Sequence, residues 1–134
     1  MSPHYLNRED SMTISEALHR ADEVKPNTYL DLDKIRWLST LDGLIKAKII
    51  DTHEGGEDVT FNGYDNDTDL GTKLLVPAPF DQIYIHWLEA MIDYANDEYD
   101  RYANTMEMYN SAWDTFANYY NRTHMPIGKK FKFF

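Results

Sequence analysis

The side chains able to do chemistry are few and mostly acidic. Asp65, Asp67 and Asp69 alternate along one short tract, at the first, third and fifth positions of a run similar to a calcium-binding loop. Such a loop needs glycine at its sixth position and a bidentate glutamate at its twelfth. Leu70 and Val76 stand there instead, so the tract reads as a solvated turn. Glu89, Asp93, Asp97 and Asp100 follow one another at steps of four, four and three, which places carboxylates on one helical face where a close pair could share a proton. The plainer reading is a polar face turned to solvent. His4, His19, His53, His86 and His124 include no pair at the i, i+4 spacing of a helical zinc site. The absence of cysteine removes disulfides and thiolate chemistry. No serine sits in a nucleophile elbow and no glycine-rich phosphate loop follows a strand. No catalytic, cofactor or metal residue is assigned, and the chain is not read as an enzyme.

The elements that would position these residues are mainly helical. A chain of 134 residues with 43% hydrophobic composition is the size of one domain. Its formal net charge of −10 repels phosphate, so tight nucleic-acid binding is not expected. No apolar run is long enough for a membrane span, and the first twenty residues lack a signal peptide's apolar centre.

Residues 1–12 lack periodicity and read as an arm. Thr13 and Glu16 form a capping box for a helix reaching Val24, before Pro26. Thr28 and Asp31 repeat that signal for a second helix running to about His53, with Gly43 expected to mark close approach by another helix. Gly55 and Gly56 can take positive φ where it ends. Between 55 and 79 lies an insertion in which Val59, Thr60 and Phe61 read as a short strand, making a hairpin-like or extended loop. From 80 to 121 there is no Gly or Pro, and Tyr84, Leu88, Met91, Ala95, Tyr99, Tyr102, Met106, Tyr109, Trp113, Phe116 and Tyr120 recur at threes and fours. One helix over that span would be ~60 Å long, so a break is expected near Asn96 and Asp97, with Asn104 and Thr105 as the second choice. The fold class is thus mainly α, a small bundle of about four helices. Ten Tyr, six Phe and three Trp exceed what one small core needs, which points to assembly.

Several segments together resemble a family of tailed-phage virion proteins encoded among the head genes of phages and prophages of Gram-positive bacteria. They are Thr13-Ile14-Ser15-Glu16, Lys25-Pro26-Asn27, Lys34-Ile35-Arg36-Trp37-Leu38-Ser39 with Leu41-Asp42, and Thr52-His53-Glu54-Gly55. Phe61-Asn62-Gly63-Tyr64, Leu74-Leu75-Val76-Pro77, Ile92-Asp93-Tyr94-Ala95-Asn96 and Tyr119-Tyr120-Asn121-Arg122-Thr123-His124-Met125-Pro126 complete the set. The resemblance implies a head-tail connector, or adaptor, of the virion neck, made in the host bacterial cytoplasm. Such adaptors form a twelve-fold ring below the portal protein and extend a channel through which DNA passes without specific binding. A stopper, a tail-side neck protein or a non-viral helical protein-binding module is the alternative. On this reading 13–121 is the adaptor domain and 122–134 a docking tail, with Lys129, Lys130, Phe131, Lys132, Phe133 and Phe134 meeting the portal. Val59, Phe61, Tyr64, Asp65, Asp67 and Asp69 would contact a neighbouring subunit or the lower neck.

Overall fold

The computed structural model describes residues 7–128, which fold as a mainly α bundle of four helices with an inserted loop before the last helix pair. Helix α1 spans Ile14–Val24, α2 Asp31–Ile45, α3 Gln82–Ala95 and α4 Tyr99–Thr123. Among the described residues no strand forms, so the expected strand at Val59, Thr60 and Phe61 is replaced by irregular backbone. The only bridges there are isolated, Thr13 with Lys73 and His53 with Pro126.

Helix α1 starts as its sequence dictates. The Thr13 hydroxyl accepts from the Glu16 amide and the Glu16 carboxylate accepts from the Thr13 amide, at 3.0 and 3.1 Å. Two further first-turn amides, of Ile14 and Ser15, donate to the loop carbonyls of Thr72 and Leu70. Ile14, Ala17, Leu18 and Ala21 form the buried stripe, spaced at threes and fours. The entry to α2 differs from expectation. Leu30 is the cap and gives no side-chain bond, while Thr28 lies outside the helix. Asp31 and Asp33 in the first turn supply negative charge to the dipole instead.

The second helix also ends differently, continuing into a π-helical turn, Lys46–Ile50. The Asp51 amide donates to the Lys46 carbonyl, the i→i+5 bond of that geometry. Ile49 and Ile50 are both buried as a result. Thr52 Oγ1 and His53 Nδ1 then cover the Ile49 carbonyl, so the widened end leaves its acceptors partnered. Gly55 takes φ +86°, as a helix exit requires, but Gly56 serves another purpose. A Cβ on Gly56 would stand 2.6 Å from the Ile50 carbonyl oxygen, so only glycine lets the chain turn so close to the helix end. Gly43 meets no helix; its nearest neighbour is the Phe61 ring of the inserted loop.

The break between α3 and α4 falls at Asn96 and Asp97. Asp97 is left-handed with φ 60°, the Glu98 amide donates to the Asp93 carbonyl and the Asp97 amide to the Tyr94 carbonyl. Those two bonds define a Schellman stop, with aspartate in the position usually given to glycine. The chain then reverses, and α3 and α4 form the most extensive helix pair. Asn104 and Thr105 lie inside α4.

Both ends are more ordered into the body than a free arm and tail. Arg8–Asp10 is a 3-10 turn, Ser11 and Met12 are buried, and the Leu74 and Ala78 amides donate to the Met12 and Asp10 carbonyls. The arm expected over 1–12 is therefore part of the domain from residue 7 onward. At the other end α4 runs through Thr123 and His124 is buried, so 122–128 is framework as well. No described helix is long and apolar enough to cross a membrane.

Candidate functional site

The inserted loop is the feature that sets the chemistry of the interior. Leu74, Leu75 and Val76 are fully buried although they belong to no helix or strand. Buried irregular backbone must find donors and acceptors elsewhere. Asp42 supplies one: its Oδ2 accepts from the Leu75 amide at 3.1 Å and from the Tyr64 hydroxyl at 2.6 Å, while Oδ1 accepts from the Tyr84 hydroxyl at 2.6 Å. Tyr84 in turn accepts from the Val76 amide at 2.7 Å. Ser11 Oγ donates to the Val76 carbonyl. One carboxylate thus ties α2, α3 and both halves of the loop.

Burial pushes the Asp42 carboxyl up to about 6, against the lowering effect of the two tyrosine hydroxyls and the Leu75 amide. Tyr64 and Tyr84 are raised well above the usual phenol range, by burial first and by the facing carboxylate second. The sequence carried a signal for this site that went unread. Asp42 lies four residues after Leu38 and three before Ile45, an acid inside the apolar stripe of α2.

A second polar node joins α1 to the α3–α4 turn. Lys25 Nζ lies 3.2 Å from Asp93 Oδ1 and 3.0 Å from Glu98 Oε1, and the Thr105 hydroxyl donates to Asp93 Oδ2 at 2.9 Å. Asp93 is 2% exposed. The expected carboxylate face is therefore corrected: Asp93 turns inward to a cation, Glu89 is half-buried, and Asp97 and Asp100 alone face solvent. Glu89 is raised by burial and by the nearby Asp93 charge. Lys25 is raised, chiefly by its bond to Glu98.

The third node anchors the end of α4. Tyr120 stacks flat on His124 with centroids 3.8 Å apart, and His53 meets its edge at 4.9 Å. His53 Nε2 lies 2.7 Å from Asn121 Oδ1. This cluster fastens the C-terminal turn of α4 to the π-helical end of α2, and burial raises the Tyr120 phenol to about 12.

Of the residues expected to contact a neighbour, Val59 and Phe61 are half-buried and pack on the core. Tyr64 is corrected: it is 8% exposed, with its ring edge-on to Phe61 and its hydroxyl on Asp42. Asp65, Asp67 and Asp69 are exposed. Asp65 Oδ1 accepts from the Asp67 amide and Asp69 Oδ1 from the Gly71 amide, which makes them turn-forming groups. Lys129, Lys130, Phe131, Lys132, Phe133 and Phe134 lie outside the described residues.

Two exposed surfaces of the described residues combine aromatic or apolar side chains in one place. One is a tyrosine group at the α3–α4 reversal, where Tyr94 and Tyr99 are both 55% exposed and Tyr94 meets the rings of Tyr99 and Tyr102 at 5.6 and 5.1 Å. The other is a groove of about 440 Å³ between the start of α3 and the middle of α4, whose lining includes Phe80, Met108 and Ala112. His86, Glu107 and Thr115 also line it.

No family model, curated protein or solved structure matches this chain. The functional reading therefore stands on the residues and their arrangement.

Proposed function

We propose that the chain is a structural subunit of a tailed-phage neck, a head-tail connector or adaptor that forms a ring below the portal. The observation that carries this reading is how the resembling segments meet. Asp42, Tyr64 and Leu75, from three of them, share one buried carboxylate network. Lys25 of another pairs with Asp93 of a fifth, and His53 of a sixth meets Tyr120 and Asn121 of a seventh. Segments far apart in sequence thus coincide with the contacts that fix the fold, which supports a likeness of framework and not of a few local strings.

Two further properties suit a ring around DNA. All 23 acids fall within 7–128, giving a body that repels phosphate and lets DNA slide. The exposed tyrosines at the α3–α4 reversal offer large, rigid contact area of the kind enriched at interfaces. We assign Tyr94, Tyr99 and Tyr102 to the contact between subunits or with the portal.

The test is particle mass and rotational symmetry, with and without a tailed-phage portal protein. Wild type is expected to add to the portal as a closed ring visible by electron microscopy. Tyr94→Ser combined with Tyr99→Ser should weaken that addition at least tenfold while leaving the helical spectrum unchanged. A portal whose mass and shape are unaltered by the wild-type chain would overturn the reading. Addition to the tail side alone would identify the stopper or tail-side alternative.

A further inference from the structure

The groove between α3 and α4 has a partner in the chain's own composition. Its apolar lining is Pro79, Phe80, Met108 and Ala112: the Phe80 ring lies tilted against Tyr119 with centroids 4.6 Å apart, and Met108 is 54% exposed. An exposed methionine beside an aromatic floor is an adaptable seat for flat rings. Glu107 stands at the lining and brings negative charge to it. The complementary chemistry is the segment 129–134, which holds Lys129, Lys130 and Lys132 with Phe131, Phe133 and Phe134. Half of the six phenylalanines are in those six residues, and they contain no acid, whereas the body carries every acid of the chain.

Reach favours a second copy as the source, since a chain's own segment would keep only ~11 Å of its ~20 Å for the ~12 Å groove. The Ile127 amide donates to the Thr52 carbonyl, and Gly128 lines a cleft with His53 and Asn121, so the described chain ends beside the last turns of α4. Along α4 the groove begins at Thr115, ~9 Å from Asn121, and extends to Glu107, ~12 Å further, at the standard rise. Six residues stretch ~20 Å at most. A chain's own segment would spend much of that length reaching the near end. One from another copy can lie along the whole groove, and four extended residues match its ~12 Å length.

We propose that the groove binds the C-terminal segment 129–134 of a second copy of this chain, phenylalanines against Phe80, Met108 and Ala112, and lysines toward Glu107 and the acidic body. Each copy then offers one segment and one groove, a head-to-tail contact that closes into a ring or runs on. The inference does not rest on the phage reading. The resemblance points the same segment at a portal, and the following experiment contains none, so it reads the copy-to-copy contact alone.

Two full-length variants separate the halves of the contact. Met108→Lys with Thr115→Lys places positive charge in the groove at two exposed positions and keeps the segment; Phe131→Ser, Phe133→Ser and Phe134→Ser keep the groove. Sedimentation should show the wild-type mass rising with concentration above the 15.8 kDa monomer, and falling back as salt is raised to about 0.5 M. Each variant alone should stay monomeric with an unchanged helical spectrum. An equimolar mixture should form one-to-one pairs and nothing larger. Wild type that is monomeric at every concentration would mean docking within one chain, or none, and overturns the proposal. Self-association of the phenylalanine variant equal to wild type would assign the contact to another surface and overturns it as well. If the groove variant loses helicity, the comparison of wild type with the phenylalanine variant still decides.

Discussion

Asp42 is buried because a neighbour's backbone needs it. The Leu75 amide has no ladder to join, and without the carboxylate it and the Tyr64 hydroxyl would be left unsatisfied in an apolar interior, which costs about 1–3 kcal/mol per group. The carboxyl itself is raised from 3.8 to about 6. Between those values the folded chain holds a proton that the unfolded chain has released, so this contribution is fully present below pH ~4 and is lost as pH rises through 6. The shift corresponds to about 3 kcal/mol. Asp42→Asn removes the titration and keeps an oxygen acceptor. Urea unfolding of both proteins should therefore show wild type gaining on the variant by roughly that amount when pH is lowered from 7 to 4. A difference independent of pH would show that Asp42 is not the titrating group.

At the scale of elements, two junctions do most to shape the bundle. The α3–α4 stop uses a left-handed aspartate, which that residue type tolerates because its short side chain bonds locally; Asp97 Oδ1 accepts from the Tyr99 hydroxyl at 2.8 Å. The α2 exit relies on the π-helical turn and on Gly56 passing under the Ile50 carbonyl. Lys46 bridges that passage, with Nζ bonded to both Asp51 Oδ1 and the Gly56 carbonyl. Gly56→Ala forces backbone apart at a point where no flexible side chain can yield. We expect a loss of about 2–3 kcal/mol in denaturant unfolding. A variant as stable as wild type would mean that the 51–56 turn moves freely, contrary to the packing described.

For the whole molecule the charge distribution matters more than any one ion pair. The exposed pair of His19 with Glu23 contributes little, as surface pairs do. The summed charge of −10 produces a field that repels the phosphates of duplex DNA. On the proposed neck reading, a ring wall built from such a body should not hold DNA. In gel-shift measurements at about 50 mM salt, where phosphate contacts are strongest, the full chain should leave duplex mobility unchanged. Retention that falls as salt rises would show a basic face able to neutralise phosphates and would count against a channel lining.

The helices, the Thr13 and Glu16 capping box and the break at Asn96 and Asp97 were legible in the sequence. Each rests on interactions within a few residues: a capping oxygen, a left-handed φ, a stripe at threes and fours. The Thr28 signal failed because a capping side chain works only if the backbone turns at that residue, and here the turn comes at Leu30. What the buried acids bond to depends on packing between distant segments. Asp42 stands in the apolar stripe of α2, which marks it as inward, but its spacing does not name its partners, and Asp93 shares a helical face with Asp97 and Asp100; packing alone supplies the hydroxyls, the amide and Lys25 that meet the two buried acids. The same holds for Ser11, Met12 and residues 74–76, which are buried without regular structure. The Leu74 amide finds Met12, the Leu75 amide Asp42 and the Val76 carbonyl Ser11, each more than thirty residues away, and only packing brings those together.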